Sequence, residues 1–362
     1  MVSNGMKKHL NKLKQTAKKP LARLRKNNPD AVATAKVPYI TNDTIAEHRE
    51  EVLSGARKYI YPLQHSKRRI IWLSSIVFGV TLVFFGVYSL LGLYRFQNTS
   101  TFMYRITQIV PFPVARAEGR FVSYENYLFE LRHYMHYYET QQKLSFDTEE
   151  GKTDLDEYKK QAMQQVIDDA YIKHLADKNN VSVSNQEVDQ EIAIVREQNR
   201  LGTSDQVFED VLRDFWGWSV NDFRRSLRGQ LLARKVVSKL DTEAHTRAGA
   251  ALAELKAGAD FAELAKKYSD DEGTRDAGGD YGAAIDKSNR DIAAKVTDRI
   301  FSQQAGQYSE IIDTGYSLEI VKTLAFEADK ARAAHIQIVL KDIDERLAPL
   351  KEQSPASLFL KL

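Results

Sequence analysis

Residues 257–282 read AGADFAELAKKYSDDEGTRDAGGDYG. Phe261, Leu264, Ala265 and Tyr268 recur at helical spacing, so the first half reads as a short amphipathic helix. Helical character ends at Ser269-Asp270-Asp271-Glu272-Gly273, and a polar loop closes on Gly278-Gly279-Asp280-Tyr281-Gly282. Glycines packed this closely point to positive φ or to a close approach of backbone. By pattern alone the closing turn fits any tight turn.

Outward from this stretch, the chain divides by composition. It has 362 residues, enough for two or three domains, and a formal net charge of +3. Basic residues crowd the first seventy positions, while acids are plentiful after Glu118. There is no cysteine, which excludes a thiolate nucleophile and a disulfide framework. No phosphate-binding loop, nucleophile elbow or HExxH zinc motif is present.

Residues 1–69 read as a basic cytoplasmic tail lying near anionic lipid, not as a nucleic-acid binder, because a long apolar run comes directly after them. A short amphipathic helix is expected from Thr44 to Tyr59, capped by Asn42, Asp43 or Thr44. Residues 70–94, IIWLSSIVFGVTLVFFGVYSLLGLY, carry no charge and are long enough for a hydrocarbon core. Trp72 and Tyr94 sit at the two ends as interfacial aromatics, and Lys67, Arg68 and Arg69 precede the run. The positive-inside rule then puts the N-terminus in the cytoplasm and the C-terminal bulk outside the cell membrane. Lipid is therefore expected as a partner along Ile70–Tyr94.

Residues 95–112 read as a linker, with Pro111 and Pro113 stopping regular structure. Ser123 caps an aromatic helix on which His133 and His136 lie three apart, a spacing that suits a metal but lacks a third ligand, so ordinary helix surface is the expectation. Leu155–Ala176 is a strongly amphipathic helix. Ser184 and Glu187 form a capping box for a helix to about Arg200. Two more helices, 204–213 and 219–240, meet at Phe215-Trp216-Gly217-Trp218.

The opening stretch resembles the core of parvulin-type peptidyl-prolyl isomerases. Gly258, Phe261, Leu264, Ala265, Ser269, Asp271, Gly278, Gly279, Asp280 and Gly282 fall in register with it, and Tyr281 stands where Leu is usual. Ile300-Phe301, Gly306-Gln307-Tyr308-Ser309 and Thr314-Gly315-Tyr316 resemble later pieces of that family. The helical string before it resembles the chaperone segment of SurA- and PrsA-like foldases, through Ala162–Ala176, Asn180–Ser184, Glu187-Val188-Asp189, Phe208–Leu212, Gly217-Trp218-Ser219 and Phe223 to Leu232.

Two departures stand out. The family's first strand, with its Ala-His-Ile motif, is absent ahead of the helix at Glu243–Lys256; Lys235–Leu240 reads as helix instead. A close likeness, Ala333-Ala334-His335-Ile336-Gln337-Ile338-Val339, comes after the last strand. Either it opens a truncated second repeat, or the domain is circularly permuted and the late strand fills the first slot. Sheet physics favours permutation: a hairpin would join 318–324 to 333–340, whereas truncation leaves an apolar strand unpaired. Second, Ser317 stands where the family's last strand carries a histidine. Carried over by resemblance, the polar network under the substrate amide comprises Asp271, Thr314, Ser317 and His335. The proline pocket maps to Ile292, Val296 and Phe301, which at their spacing fit plain core equally well.

The expected architecture is α+β. It has a single transmembrane helix, an all-helical SurA-like chaperone domain at 113–240, a parvulin-like domain at 241–341 with a four-stranded antiparallel sheet and permuted order, and a C-terminal tail at 342–362. The implied function is an extracytoplasmic foldase acting on unfolded or proline-containing polypeptides, without cofactor, metal or nucleic acid. Two readings of its activity stay open: an active prolyl isomerase, or a holdase that binds peptide without isomerising it.

Overall fold

A computed structural model of the chain describes residues 40–60, 63–199, 201 and 204–362. The first 39 residues of the basic tail lie outside the described residues. The described residues up to Val80 and those from Thr81 to Leu362 are two compact units. The first contains α1 (Asn42–Ile60) and the beginning of α2 (Leu63–Leu90). Arg69–Arg95 is the one stretch among the described residues long and apolar enough to cross a membrane.

The apolar run expected to span from 70 to 94 is largely exposed as far as Tyr88, and Leu90 and Leu91 stay exposed beyond it. Ser89, Gly92 and Leu93 are buried, and the helix finishes in a π turn, Leu91–Arg95. The hydroxyl of Tyr124 donates to the Leu93 carbonyl at 2.7 Å, and that of Tyr94 to the Pro113 carbonyl at 2.6 Å. The end of the run is thus part of a folded core. At 1.5 Å per residue, 70–88 still reaches about 28 Å, close to a hydrocarbon thickness of about 30 Å.

The segment read as a linker is folded as well. Ser100 caps α3 (Thr101–Ile109), which buries Met103 and Ile106. Two strands come next, β1 (Pro113–Ala117) and β2 (Arg120–Ser123), joined through Glu118 and Gly119, both at positive φ as a tight two-residue hairpin requires. Ser123 caps α4 (Tyr124–Thr140) as its side chain accepts from the Asn126 amide. Thr148 caps α5 (Glu149–Lys178), which starts well ahead of its apolar stripe. The capping box of Ser184 and Glu187 opens α6 (Asn185–Gln198). Then come α7 (Asp205–Val211), continued by a π turn to Trp216 that left-handed Gly217 ends, and α8 (Val220–Leu240), capped by Ser219 with Asp222.

The chain then builds a second layer structure. It comprises α9 (Thr242–Lys256), α10 (Phe261–Tyr268), β3 (Ile285–Asp286), α11 (Ala294–Ser302), β4 (Ile312–Asp313), β5 (Ser317–Glu327) and β6 (Lys330–Val339). The sheet is antiparallel with order β3-β6-β5-β4. The late strand therefore pairs along its length with β5, and at its first two residues with β3. The β5–β6 register sets Val321 opposite His335 and Ile320 opposite Ile336. Strand alternation sends Leu318, Ile320, Ile336 and Ile338 to one face, against α9 and α10. Val321, Ala331 and Ala333 go to the other, against α11.

The segment read as a C-terminal tail returns to the helical region. Leu347 of α12 (Ile343–Gln353) and Leu360 are buried in the same core as Leu93, Tyr124, Tyr171 and Val236. The short strand β7 (Ser357–Leu358) pairs with β1, so this region holds a β2-β1-β7 sheet and is not all helical. Burying two leucines supplies about 1.5–3 kcal/mol each, enough to hold the return. Asp241 marks the crossing point. It is buried, caps α9, and its carboxylate accepts from the Lys341 amide at 2.8 Å and pairs with Arg346 at 3.2 Å. Burial raises its pKa, but these contacts outweigh that and hold it below its usual value.

Candidate active site

Beyond Ala331, β6 has no strand on its outer side, because β3 is only two residues long. The loop from Ser269 to Tyr281 covers that edge instead. The Asp270 amide donates to the Gln337 carbonyl at 2.7 Å, the His335 amide to the Gly279 carbonyl at 2.9 Å, and the Tyr281 amide to the Ala333 carbonyl at 3.1 Å. The glycine pair is explained here. Gly279 has φ +81°, and a Cβ on it would stand 2.1 Å from the His335 carbonyl oxygen. Only glycine lets the loop lie this close to the strand.

This edge seam delivers Asp271 to His335. The imidazole Nε2 lies 2.9 Å from Asp271 Oδ2 and 3.0 Å from Thr274 Oγ1, while the Thr274 hydroxyl donates to Asp271 Oδ2 at 2.6 Å. On the ring's other side Nδ1 lies 3.3 Å from Glu319 Oε2. Glu319 Oε1 accepts from the Ser317 hydroxyl at 2.9 Å, and Ser317 Oγ lies 2.9 Å from Thr314 Oγ1. A continuous polar relay runs Thr314–Ser317–Glu319–His335–Asp271–Thr274. Ser317, Glu319 and His335 share one sheet face because positions two apart, and positions directly opposite, point the same way.

Four expected site residues thus meet in one network, but not all in direct contact. Asp271 touches His335; Thr314 reaches it only through Ser317 and Glu319. Two members, Thr274 and Glu319, lie outside the sequence-based set. A signal for Glu319 exists in the sequence: it is a lone acid inside the apolar strand SLEIV. Its meaning needed the pairing that puts His335 on its face.

Electrostatics follow from the sandwich. Burial alone would lower the His335 pKa, but the hydrogen bonds and charges of Glu319 and Asp271 overcome it and raise it above 6.5. The Thr274 hydroxyl and His335 hold Asp271 below its usual value against its own desolvation. The two acids thus favour the protonated imidazole over the neutral one. Asp271 remains partly open to solvent, whereas His335 and Glu319 are buried.

The Tyr281 ring, in the position where the resemblance expects Leu, packs 4.3 Å from the His335 ring. Burial, then the charges of Glu319 and Asp271, push its hydroxyl pKa up. Of the expected pocket residues, Val296 is fully buried and is a core residue of the α11 face, which corrects its assignment to the substrate surface. The cause is helical geometry: α11 turns Val296 and Ile300 inward into the cluster that holds Val321, while Ile292 and Phe301, like Tyr281, stay half-buried against that cluster. A groove of about 490 Å³ borders the relay at Thr314. Its other wall is α6 and α8, through Glu191, Ile194 and Arg234.

His133 and His136 serve a different purpose. Their rings lie 3.4 and 3.2 Å from the carbonyls of Trp216 and Asp214, and His133 stacks on Trp218 at 4.2 Å. They fasten the α7 corner to α4. No group of three or more potential ligands is placed to hold a metal among the described residues.

Comparison with known families agrees with this division. Residues 63–237 match the SurA-like N-terminal domain, and residues 231–325 match the PPIC-type PPIase domain, which indicates peptidyl-prolyl cis-trans isomerase activity. The second match stops before the strand that carries His335. No curated protein matches the chain.

Proposed function

We propose that this chain, a parvulin-type peptidyl-prolyl isomerase with a SurA-like domain, is anchored in the cell membrane by residues 70–88 and works outside the cytoplasm on unfolded secreted polypeptides. Support for the anchor is an exposed, uncharged helix preceded by Lys67 and Arg69 and succeeded within one turn by folded structure. Support for catalysis is one observation above all: His335 lies between Asp271 and Glu319.

Rotation about an X–Pro bond faces a barrier of about 18–20 kcal/mol, set by amide resonance, and no covalent bond need be made. In the planar amide, resonance places negative charge on the carbonyl oxygen. As the bond twists, that charge returns to nitrogen. A fixed carboxylate beside the oxygen is therefore tolerated better by the twisted state than by the planar one, which is the differential binding that speeds a reaction. Asp271 is the partly exposed carboxylate of the relay and takes this role. His335 holds it ionised and aimed; Glu319 holds His335; Ser317 and Thr314 hold Glu319. Glu319 thus does from two residues along the strand what a second histidine would do at 317. Tyr281, Ile292 and Phe301 form the apolar wall for the proline ring.

Isomerisation of a proline peptide by the full chain in detergent tests this. Asp271→Asn should lower kcat/KM by at least about tenfold, roughly 1.4 kcal/mol of transition-state stabilisation, with cooperative melting retained. A folded Asp271→Asn protein with unchanged turnover would place the catalytic group elsewhere. A folded but inactive wild type would make the domain a peptide-binding holdase.

A further inference from the structure

The end of the apolar helix leaves no free spacer before the folded domain, and the surface next to it is unusual. The Phe102 ring of α3 meets Phe85 of α2 edge-on at 6.2 Å, so α3 lies beside the last exposed apolar turn. The outward stripe of α3 is Phe102, Arg105 and Ile109, at spacings of three and four; Phe102 is 53% exposed and Ile109 83%. The C-terminus is tied to the same place, since the Gln97 side chain donates to the Lys361 carbonyl at 2.7 Å. Two residues before Lys361, Phe359 packs against Phe121 with ring centroids 6.2 Å apart, and Arg116 lies 5.6 Å from the Phe121 ring. Phe121 is 68% exposed and Phe359 45%. Phe359 thus lies two residues along the chain from the tie at Gln97, with the Phe121 ring beside it.

Scattered exposed apolar residues need no explanation, but a group gathered around one point does. The charges there are mostly basic: between residues 91 and 123 the bases are Arg95, Arg105, Arg116 and Arg120, and the single acid is Glu118. Arg120 is taken up by Asp177, leaving Arg95, Arg105 and Arg116 outward. Aromatic and aliphatic side chains flanked by arginines are what the interface of an anionic bilayer accepts: rings at the headgroup level, guanidinium groups on phosphate oxygens.

We infer that the face formed by Phe102, Ile109, Phe121 and Phe359, with Arg105 and Arg116, lies in the headgroup layer of an anionic membrane and holds the domain upright on it. This rests on the proposed span at 70–88, and the test separates the two. The chain has no cysteine, so single cysteines can be spin-labelled cleanly. The full chain carrying Phe84→Cys, Phe121→Cys, Phe359→Cys or Ala328→Cys is reconstituted in phosphatidylglycerol-containing vesicles. Collision with oxygen, which concentrates in lipid, is compared with collision with a water-soluble nickel chelate. Labels at 84, 121 and 359 should be oxygen-rich and several-fold less accessible to nickel than the label at 328, in the exposed β5–β6 turn. A lipid-buried label at 84 with labels at 121 and 359 behaving like that at 328 overturns the inference and keeps the span. Labels at 121 and 359 shielded from nickel without oxygen enrichment also overturn it, because protein then covers the face. A water-exposed label at 84 removes the span and the inference together.

Discussion

The helical region and the isomerase domain are each completed by residues that come late in the chain, but in different ways. In the isomerase domain the late element is β6, a ten-residue strand in the sheet centre that also carries the site histidine. In the helical region it is α12 and β7, which add Leu347 and Leu360 to a core already begun at Leu93. The chain leaves the helical core after α8, builds the isomerase domain, and returns through Lys341. Both crossings meet at Asp241. The difference teaches that closing a core and building a site are separable uses of a long-range contact: one region needs its late residues for packing alone, the other for packing and chemistry.

Truncation separates the two most strongly. Ending the chain at Glu327 removes β6, α12 and β7 together and should abolish cooperative melting of both regions. Ending it at Asp342 should destabilise the helical region and leave the isomerase domain's hydrogen-exchange protection in place. Equal loss in both truncations would show that the domains do not fold separately.

Gly279→Ala acts within the isomerase domain alone. The added methyl meets backbone, not a flexible side chain, and the left-handed φ adds strain. The expected cost is about 3 kcal/mol or more, read by denaturant unfolding, with the helical region's transition unmoved.

Asp241→Ala acts on the joint. It removes a helix cap and takes away the acceptor of the Lys341 amide, for about 1–3 kcal/mol in total. Loss shared by both transitions is expected; a loss confined to one would mean that the joint belongs to that region.

The smallest effect is pH dependence. His335 binds its proton more tightly folded than unfolded, so its contribution is complete below 6.5 and is lost as pH rises through its raised pKa. Asp271 and Asp241 have lowered values, and their contributions are lost only as pH falls below 3.8. The isomerase transition should therefore soften on the alkaline side, and Glu319→Gln should flatten that slope. An unchanged slope in Glu319→Gln would show that Glu319 does not help to hold the His335 proton.

Much was legible from local chemistry. The caps at Ser123 and Ser184 each act on an amide three residues away, so the sequence contains the whole interaction. The α10 helix and its glycine-rich loop were readable for the same reason, and the pairing of Ala333–Val339 was readable because an apolar strand cannot be left unpaired. Other features were not local. The α3 helix is short and is held by Phe85, Arg132 and the core, so the prolines after it suggested only a linker. The burial of Val296 depended on which side of α11 meets Val321.

The sequence by itself determined the helices, their ends, the apolar run and the strand that must find a partner, because capping, periodicity and unpaired backbone are properties of neighbouring residues. Only the tertiary structure decided that the C-terminus closes the helical core, that the apolar helix enters that core at Ser89, and that Glu319 and Thr274 join His335. Those outcomes depend on strand register, on the edge that a loop covers and on where two leucines find room, and each is set by residues far apart in the chain brought to within a few ångströms.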